Sequence, residues 1–133
     1  MPIKNAYHQY KENSVFTASP EELTLMLYNG LIKFIMQARN AIDERSIEKT
    51  NSGIIRAEEI IIEFRATLDM KHGISHELDL IYEYIYTRLI DANIKKDKVI
   101  LDEVLDLAKD LRDTWAQAMK LAKQQSRPQQ IAK

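Results

Sequence analysis

From Glu21 to Arg127 the chain contains no proline, and its whole length holds only three glycines, Gly30, Gly53 and Gly73. Proline removes a backbone donor and clashes with the preceding turn, and glycine weakens a helix by its conformational freedom. A stretch this free of both, with apolar residues spaced three and four apart, folds as a succession of long helices. At 133 residues with 45% hydrophobic side chains, there is enough chain to bury a core in one domain.

Four amphipathic segments follow one another. The first opens at Ser19-Pro20-Glu21-Glu22, where Ser19 suits the N-cap, Pro20 the first helical position, and Glu22 the return contact of a capping box. Its expected inward stripe is Leu23, Met26, Leu27, Gly30, Phe34, Ala41 and Ile42, ending near Asp43 to Arg45. Ser46 caps a second helix with Ile47, Ile54, Ala57, Ile61, Phe64 and Leu68 inward, Gly53 as its weak point, and a stop at Lys71-His72-Gly73 with Gly73 left-handed. Ser75 starts a third, carrying Leu78, Ile81, Tyr82, Ile85, Leu89 and Ala92. Asp97 caps a fourth, with Leu101, Val104, Ala108, Leu111, Trp115, Ala118 and Ala122. Short joints make neighbours antiparallel, so the expected fold is all-α, an up-down four-helix bundle over residues 19–124. Residues 1–18 form an N-terminal arm with Tyr7, Tyr10, Val15 and Phe16, and residues 125–133 a disordered tail.

Several functional classes lose support. With 19 basic and 20 acidic side chains, the net charge of -1 argues against nucleic-acid binding. No cysteine is present, which removes disulfides and thiolate metal sites. There is no apolar run long enough to span a membrane and no signal-peptide pattern, so the protein reads as cytoplasmic, without membrane insertion. A di-iron bundle needs paired Glu-x-x-His motifs, and the nearest sequence is a single Asp69-Met70-Lys71-His72. His72 and His76 read as surface or capping residues. Neither a nucleophile elbow nor a phosphate loop occurs, so no enzymatic activity and no cofactor or metal is expected.

The first helix is apolar around nearly its whole circumference. Beyond its inward stripe it carries Leu25, Tyr28, Leu31, Ile32, Ile35 and Met36, against one polar strip of Thr24, Asn29, Lys33, Gln37 and Asn40. Either this helix is central, or something else covers its second face. Ile55 and Ile62 on the second helix, and Leu80, Tyr84 and Tyr86 on the third, add to the surplus. Wide stripes wrapping a tight core account for it; so does a groove for an amphipathic or extended partner segment. A homodimer burying its own surplus is a further alternative.

The residues also resemble a known family. Asn5-Ala6-Tyr7-x-x-Tyr10, Asn13-Ser14-Val15, and the run Thr17-Ala18-Ser19-Pro20-Glu21-Glu22-Leu23-Thr24-Leu25-Met26-Leu27-Tyr28-Asn29-Gly30 resemble the opening of the flagellar export chaperone FliS family. The likeness continues through Ile81-Tyr82-Glu83-Tyr84, Arg88-Leu89, Asp91-Ala92-Asn93 and Leu111-Arg112-Asp113-Thr114-Trp115. The resemblance implies a helical bundle that binds the disordered C-terminal segment of flagellin, keeps it from polymerising early, and helps deliver it to the membrane export gate of the flagellar type III secretion apparatus. Other flagellar regulators are implied as additional partners. On that resemblance Tyr7 and Tyr10 match the partner-binding motif of the arm. Groove contacts are expected at Leu27, Tyr28, Leu31, Ile62, Leu80, Tyr84 and Trp115, with core packing the alternative for Tyr28, Tyr84 and Trp115.

Overall fold

The computed structural model describes residues 18–126. They form four helices, α1 Pro20–Asp43, α2 Ile47–Thr67, α3 Gly73–Lys95 and α4 Lys98–Ser126. The expected arm and tail lie largely outside the described residues, although α4 stays helical through Ser126, past the expected end of the bundle. Helix α1 packs on α2 and α4, and α3 closes the ring by packing on the same two. The polar contacts between helices pair early residues of one with late residues of its neighbour: Arg65 with Asp79, Asn51 with Lys96, and Asp43 with Lys98. The α2–α3 and α1–α4 pairs are therefore antiparallel, in keeping with the up-down topology expected from the short joints.

The caps follow local chemistry. Ser19 Oγ accepts from the Glu22 amide at 3.1 Å and Ser46 Oγ from the Lys49 amide at 3.2 Å, each satisfying a donor that the first helical turn leaves open. No bond returns from the Glu22 side chain, so only half of the capping box forms among the described residues. Before α4, Asp97 Oδ1 accepts from the Val99 amide at 2.8 Å.

The α2–α3 joint differs from expectation. Helix α2 stops at Thr67, with Leu68 already extended, and Gly73 opens α3 instead of ending α2; no glycine has a positive φ. The side chain of Asp69 accepts from the Lys71 amide while its carbonyl accepts from the buried Ser75 hydroxyl at 2.7 Å. An aspartate turn thus replaces the glycine stop. The left-handed residues are Arg45 and Lys96, with φ of 59° and 51°. Each closes a helix with a six-to-one bond, Ser46 N–H to the Ala41 carbonyl and Asp97 N–H to the Ala92 carbonyl.

The core combines Leu31, Ile35 and Ala38 of α1, Ile54 and Ile61 of α2, Ile85 and Leu89 of α3, and Leu101 and Val104 of α4. Four residues assigned above to the surplus of α1, namely Tyr28, Leu31, Ile32 and Ile35, are buried in it, whereas Met36 is exposed. Leu23, Leu25, Met26 and Leu27 are only half-buried. Much of the apolar excess of α1 is thus a wide stripe that wraps the core: α1 packs against α2 and α4, and the arc it buries spans both. Gly53 is likewise no weak point. A Cβ there would lie 3.0 Å from the Phe34 carbonyl oxygen and 3.1 Å from the backbone nitrogen of Ala38, so glycine lets α1 and α2 approach closely.

Candidate functional site

The expected contact residues divide by burial. Leu31 is fully enclosed and Tyr28 is 3% exposed. The Tyr28 hydroxyl meets the Tyr82 hydroxyl at 2.6 Å across the diagonal of the bundle, and Phe64 lies against both rings, at 4.5 Å from Tyr28 and 5.2 Å from Tyr82 between centroids. Burial raises both phenols above their ordinary value, so both remain protonated. Neither Leu31 nor Tyr28 offers surface to a partner in this structure.

Leu27 and Trp115 are half-buried against the core at the beginning of α1. The indole Nε1–H donates to the Glu21 carbonyl at 2.9 Å, which fixes α4 beside the first turn of α1. Beyond Trp115, α4 continues to Ser126, roughly 16 Å at 1.5 Å per residue. Tyr7 and Tyr10 lie outside the described residues.

The exposed candidates lie on α2 and α3. Ile62 is 52% exposed, Leu80 66% and Tyr84 46%. Tyr84 projects toward α4 and donates to Glu103 at 2.7 Å, while Arg88 Nε donates to the same carboxylate at 2.8 Å. Arg88 and then Tyr84 hold the Glu103 carboxyl below its ordinary range, and the bond to Glu103 raises the Tyr84 phenol. Ile62 and Leu80 are on outer faces of an adjacent antiparallel pair. The structure therefore does not gather the expected residues in one place. Leu27 is half-buried on α1, Trp115 sits at the α1–α4 seam, Ile62 and Leu80 are exposed on α2 and α3, and Tyr84 lies at the α3–α4 seam.

Sequence reasoning missed part of that surface. Ile90 and Ile94 on α3 are exposed, as is Ile81, which was expected to face inward; Tyr86 is half-buried against the core instead of belonging to the surplus. The available signal was phase: Ile90 and Ile94 fall outside the Tyr82, Ile85, Leu89, Ala92 seam and form their own four-residue step. Ile55 and Ile62 on α2 are exposed as well, so both helices carry large apolar side chains on their outer sides. A concavity between α1 and α2 is lined by Gln37, Asn40, Ala41, Glu44, Lys49, Ser52 and Gly53, with no large apolar side chain among them. Among the described residues no three His, Asp or Glu side chains converge to hold a metal, and no helix is long and apolar enough to cross a membrane.

Residues 3–122 match the family described as flagellar protein FliS. The chain belongs to the FliS family. Among its relatives, the flagellar secretion chaperone FliS of Bacillus subtilis (strain 168) is 46% identical over 119 residues, covering 90% of each chain. Pseudomonas aeruginosa FliSB, also named a flagellar secretion chaperone, is 34% identical over 86% of this chain and 96% of its own. FliS of Vibrio cholerae is 29% identical over 86% and 89%. These alignments span the bundle of this FliS-family chain and not merely its motif-rich opening.

Proposed function

We propose that this FliS-family protein is a cytoplasmic flagellar export chaperone that binds the C-terminal segment of flagellin, delays its polymerisation and assists its delivery to the membrane export gate. The observation that carries the reading is the apolar outer face of α2 and α3, exposed in a family whose relatives are named secretion chaperones. Burying each large apolar side chain contributes about 1.5–3 kcal/mol, so a row of isoleucines and leucine favours an apolar partner over water. A disordered segment that orders on binding loses entropy and needs an extended contact surface, which suits a long face better than a single pocket. The action is masking by occupancy, with no covalent step. Other flagellar regulators belong to the proposal as additional partners.

Tyr7 and Tyr10 belong to this proposal as partner contacts, together with Leu27, Ile62, Leu80, Tyr84 and Trp115. A charge at Leu31 would sit in the core and unfold the bundle, so the informative variants are on the surface. Ile62→Glu and Leu80→Glu are expected to keep wild-type helical content by circular dichroism and to weaken binding of a flagellin C-terminal peptide by about tenfold or more each. Undiminished affinity in both variants would remove the α2–α3 face from the proposal.

A further inference from the structure

The α1–α2 and α3–α4 joints lie together at one end of the bundle. Lys98 reaches Asp43 at 3.0 Å, tying the start of α4 to the end of α1, and Lys96 reaches Asn51 at 2.6 Å, tying the end of α3 to the second turn of α2. Three aliphatic side chains stand out from this end. Ile47, the first residue of α2, is 66% exposed, Ile94 near the end of α3 76%, and Val99 near the start of α4 75%. Ile94 and Val99 are the most exposed large apolar side chains among the described residues. Charge surrounds them. Lys98 is paired with Asp43, and Lys49 lies 3.9 Å from Glu44. Arg45, in the α1–α2 joint, and Lys95, the last residue of α3, are exposed and have no ion-pair partner among the described residues. Lys96 keeps its charge as well, because the oxygens of Asn51 and Asn93 that hold its ammonium are neutral. Against these three cations stand Glu48 and Asp97, the latter accepting from the Val99 amide at 2.8 Å. This end is therefore positive in balance, although the chain as a whole carries -1.

We propose that this end of the bundle rests on an anionic lipid surface, as a peripheral contact with no spanning segment. Ile47, Ile94 and Val99 enter the boundary between headgroups and acyl chains, where apolar side chains leave water. Arg45 and Lys95 lay their aliphatic stems beside them and keep their charges at the level of the lipid phosphates, and Lys96 adds to the attracting field. The three aliphatic residues come from the ends of three helices and form no stripe along any one of them. They offer a partner chain no groove to lie in, whereas a lipid surface needs only side chains that protrude together. A second copy docked end to end would bring Arg45, Lys95 and Lys96 toward their own equivalents. Three side chains from each partner also fall well short of the roughly 800 Å² a side of a standard interface. Nucleic acid would use the cations and leave the aliphatic residues in water. This end shares no residue with the proposed flagellin contacts, so the two surfaces are separable by mutation.

The test is co-sedimentation of the full chain with vesicles of phosphatidylglycerol and phosphatidylethanolamine, and with vesicles of phosphatidylcholine alone. Partitioning onto the anionic vesicles is expected to be stronger by about tenfold or more, with that advantage shrinking as salt rises. Ile94→Ser with Val99→Ser, and Arg45→Glu with Lys95→Glu, should each weaken it by about tenfold or more while helical content by circular dichroism stays at the wild-type level. Ile74 at the opposite end, 64% exposed, provides the control, and Ile74→Ser should change partitioning by less than about twofold. Both double variants should bind the flagellin C-terminal peptide with unchanged affinity. Absence of wild-type binding to anionic vesicles, equal partitioning onto the two lipid compositions, or an effect of Ile74→Ser as large as that of the double variants would overturn the proposal. So would a dimer, seen by light scattering, that the substitutions abolish without changing vesicle binding. Loss of flagellin binding in the double variants would make this end part of the flagellin surface and overturn it as a separate lipid contact. Failure on vesicles with flagellin binding intact leaves the chaperone reading standing.

Discussion

Two hydroxyls join α1 to α3 across the centre of the bundle. The Tyr28 and Tyr82 oxygens, 2.6 Å apart, leave one phenol donating to the other inside an apolar surround. Removing one oxygen strands its partner, whereas removing both removes the polar group that needs satisfying. Tyr82→Phe alone is expected to lower stability by about 1–2 kcal/mol, and Tyr28→Phe with Tyr82→Phe by less than the sum of the single changes, measured by urea denaturation. Strict additivity would mean that the hydroxyls are not coupled. Glycines give a second contrast. Gly53→Ala forces a methyl against backbone atoms 3.0 and 3.1 Å away, so an overpacking cost of about 1–3 kcal/mol exceeds the gain of about 1 kcal/mol in helix propensity. Gly30→Ala meets only the flexible end of Ile60 at 3.4 Å and should be neutral or stabilising. Thermal melts of the two variants should move in opposite directions.

Helix ends show which local signals a sequence exposes. Ser19, Ser46 and Asp97 were legible because an oxygen one residue before a helix has one dominant use, accepting from the amides of the first turn. The C-termini were not. Arg45 and Lys96 adopt the left-handed conformation usually left to glycine, at a cost of about 1–2 kcal/mol each, because the chain must turn there whatever residue it offers. Lys96 is partly compensated by bonds from its ammonium to Asn51 and to the backbone and side chain of Asn93. Arg45 makes no side-chain contact of that kind and is exposed. Arg45→Gly should therefore raise the midpoint of thermal unfolding, and Lys96→Gly should leave it level or lower it. A rise of equal size in both would show that the Lys96 bonds contribute nothing. The same ambiguity explains the misassigned stripe of α1. Tyr28, Leu31 and Ile35 recur with the spacing of a helical face, and only the positions of α2 and α4 reveal that this face is core.

For the molecule as a whole, topology was legible from four apolar periodicities and short joints, while the candidate site was legible only as a surplus. Periodicity cannot distinguish a wide buried arc from a buried arc beside an exposed one; Ile90 and Ile94 fell on the wrong side of that division. Polar clamps between helices add a dependence on pH. Arg65 holds the Asp79 carboxyl, and Arg88 the Glu103 carboxyl, below their ordinary ranges. A carboxyl depressed in the folded state stabilises it above its unfolded value, about 4, and that contribution is lost as pH falls through the lower folded value. The unfolding temperature should drop on acidification below about pH 4, and Glu103→Gln should make the drop shallower. An unchanged slope would show that the Arg88–Glu103 clamp is not linked to folding. The central claim is that the bundle holds a flagellin C-terminal segment on an apolar surface. Its most direct test is a calorimetric titration of the full chain with that peptide at two temperatures. Saturable binding with a strongly negative heat-capacity change is predicted, the signature of apolar burial coupled to ordering; absence of binding heat at both temperatures, with no shift of the peptide on a sizing column, would contradict it.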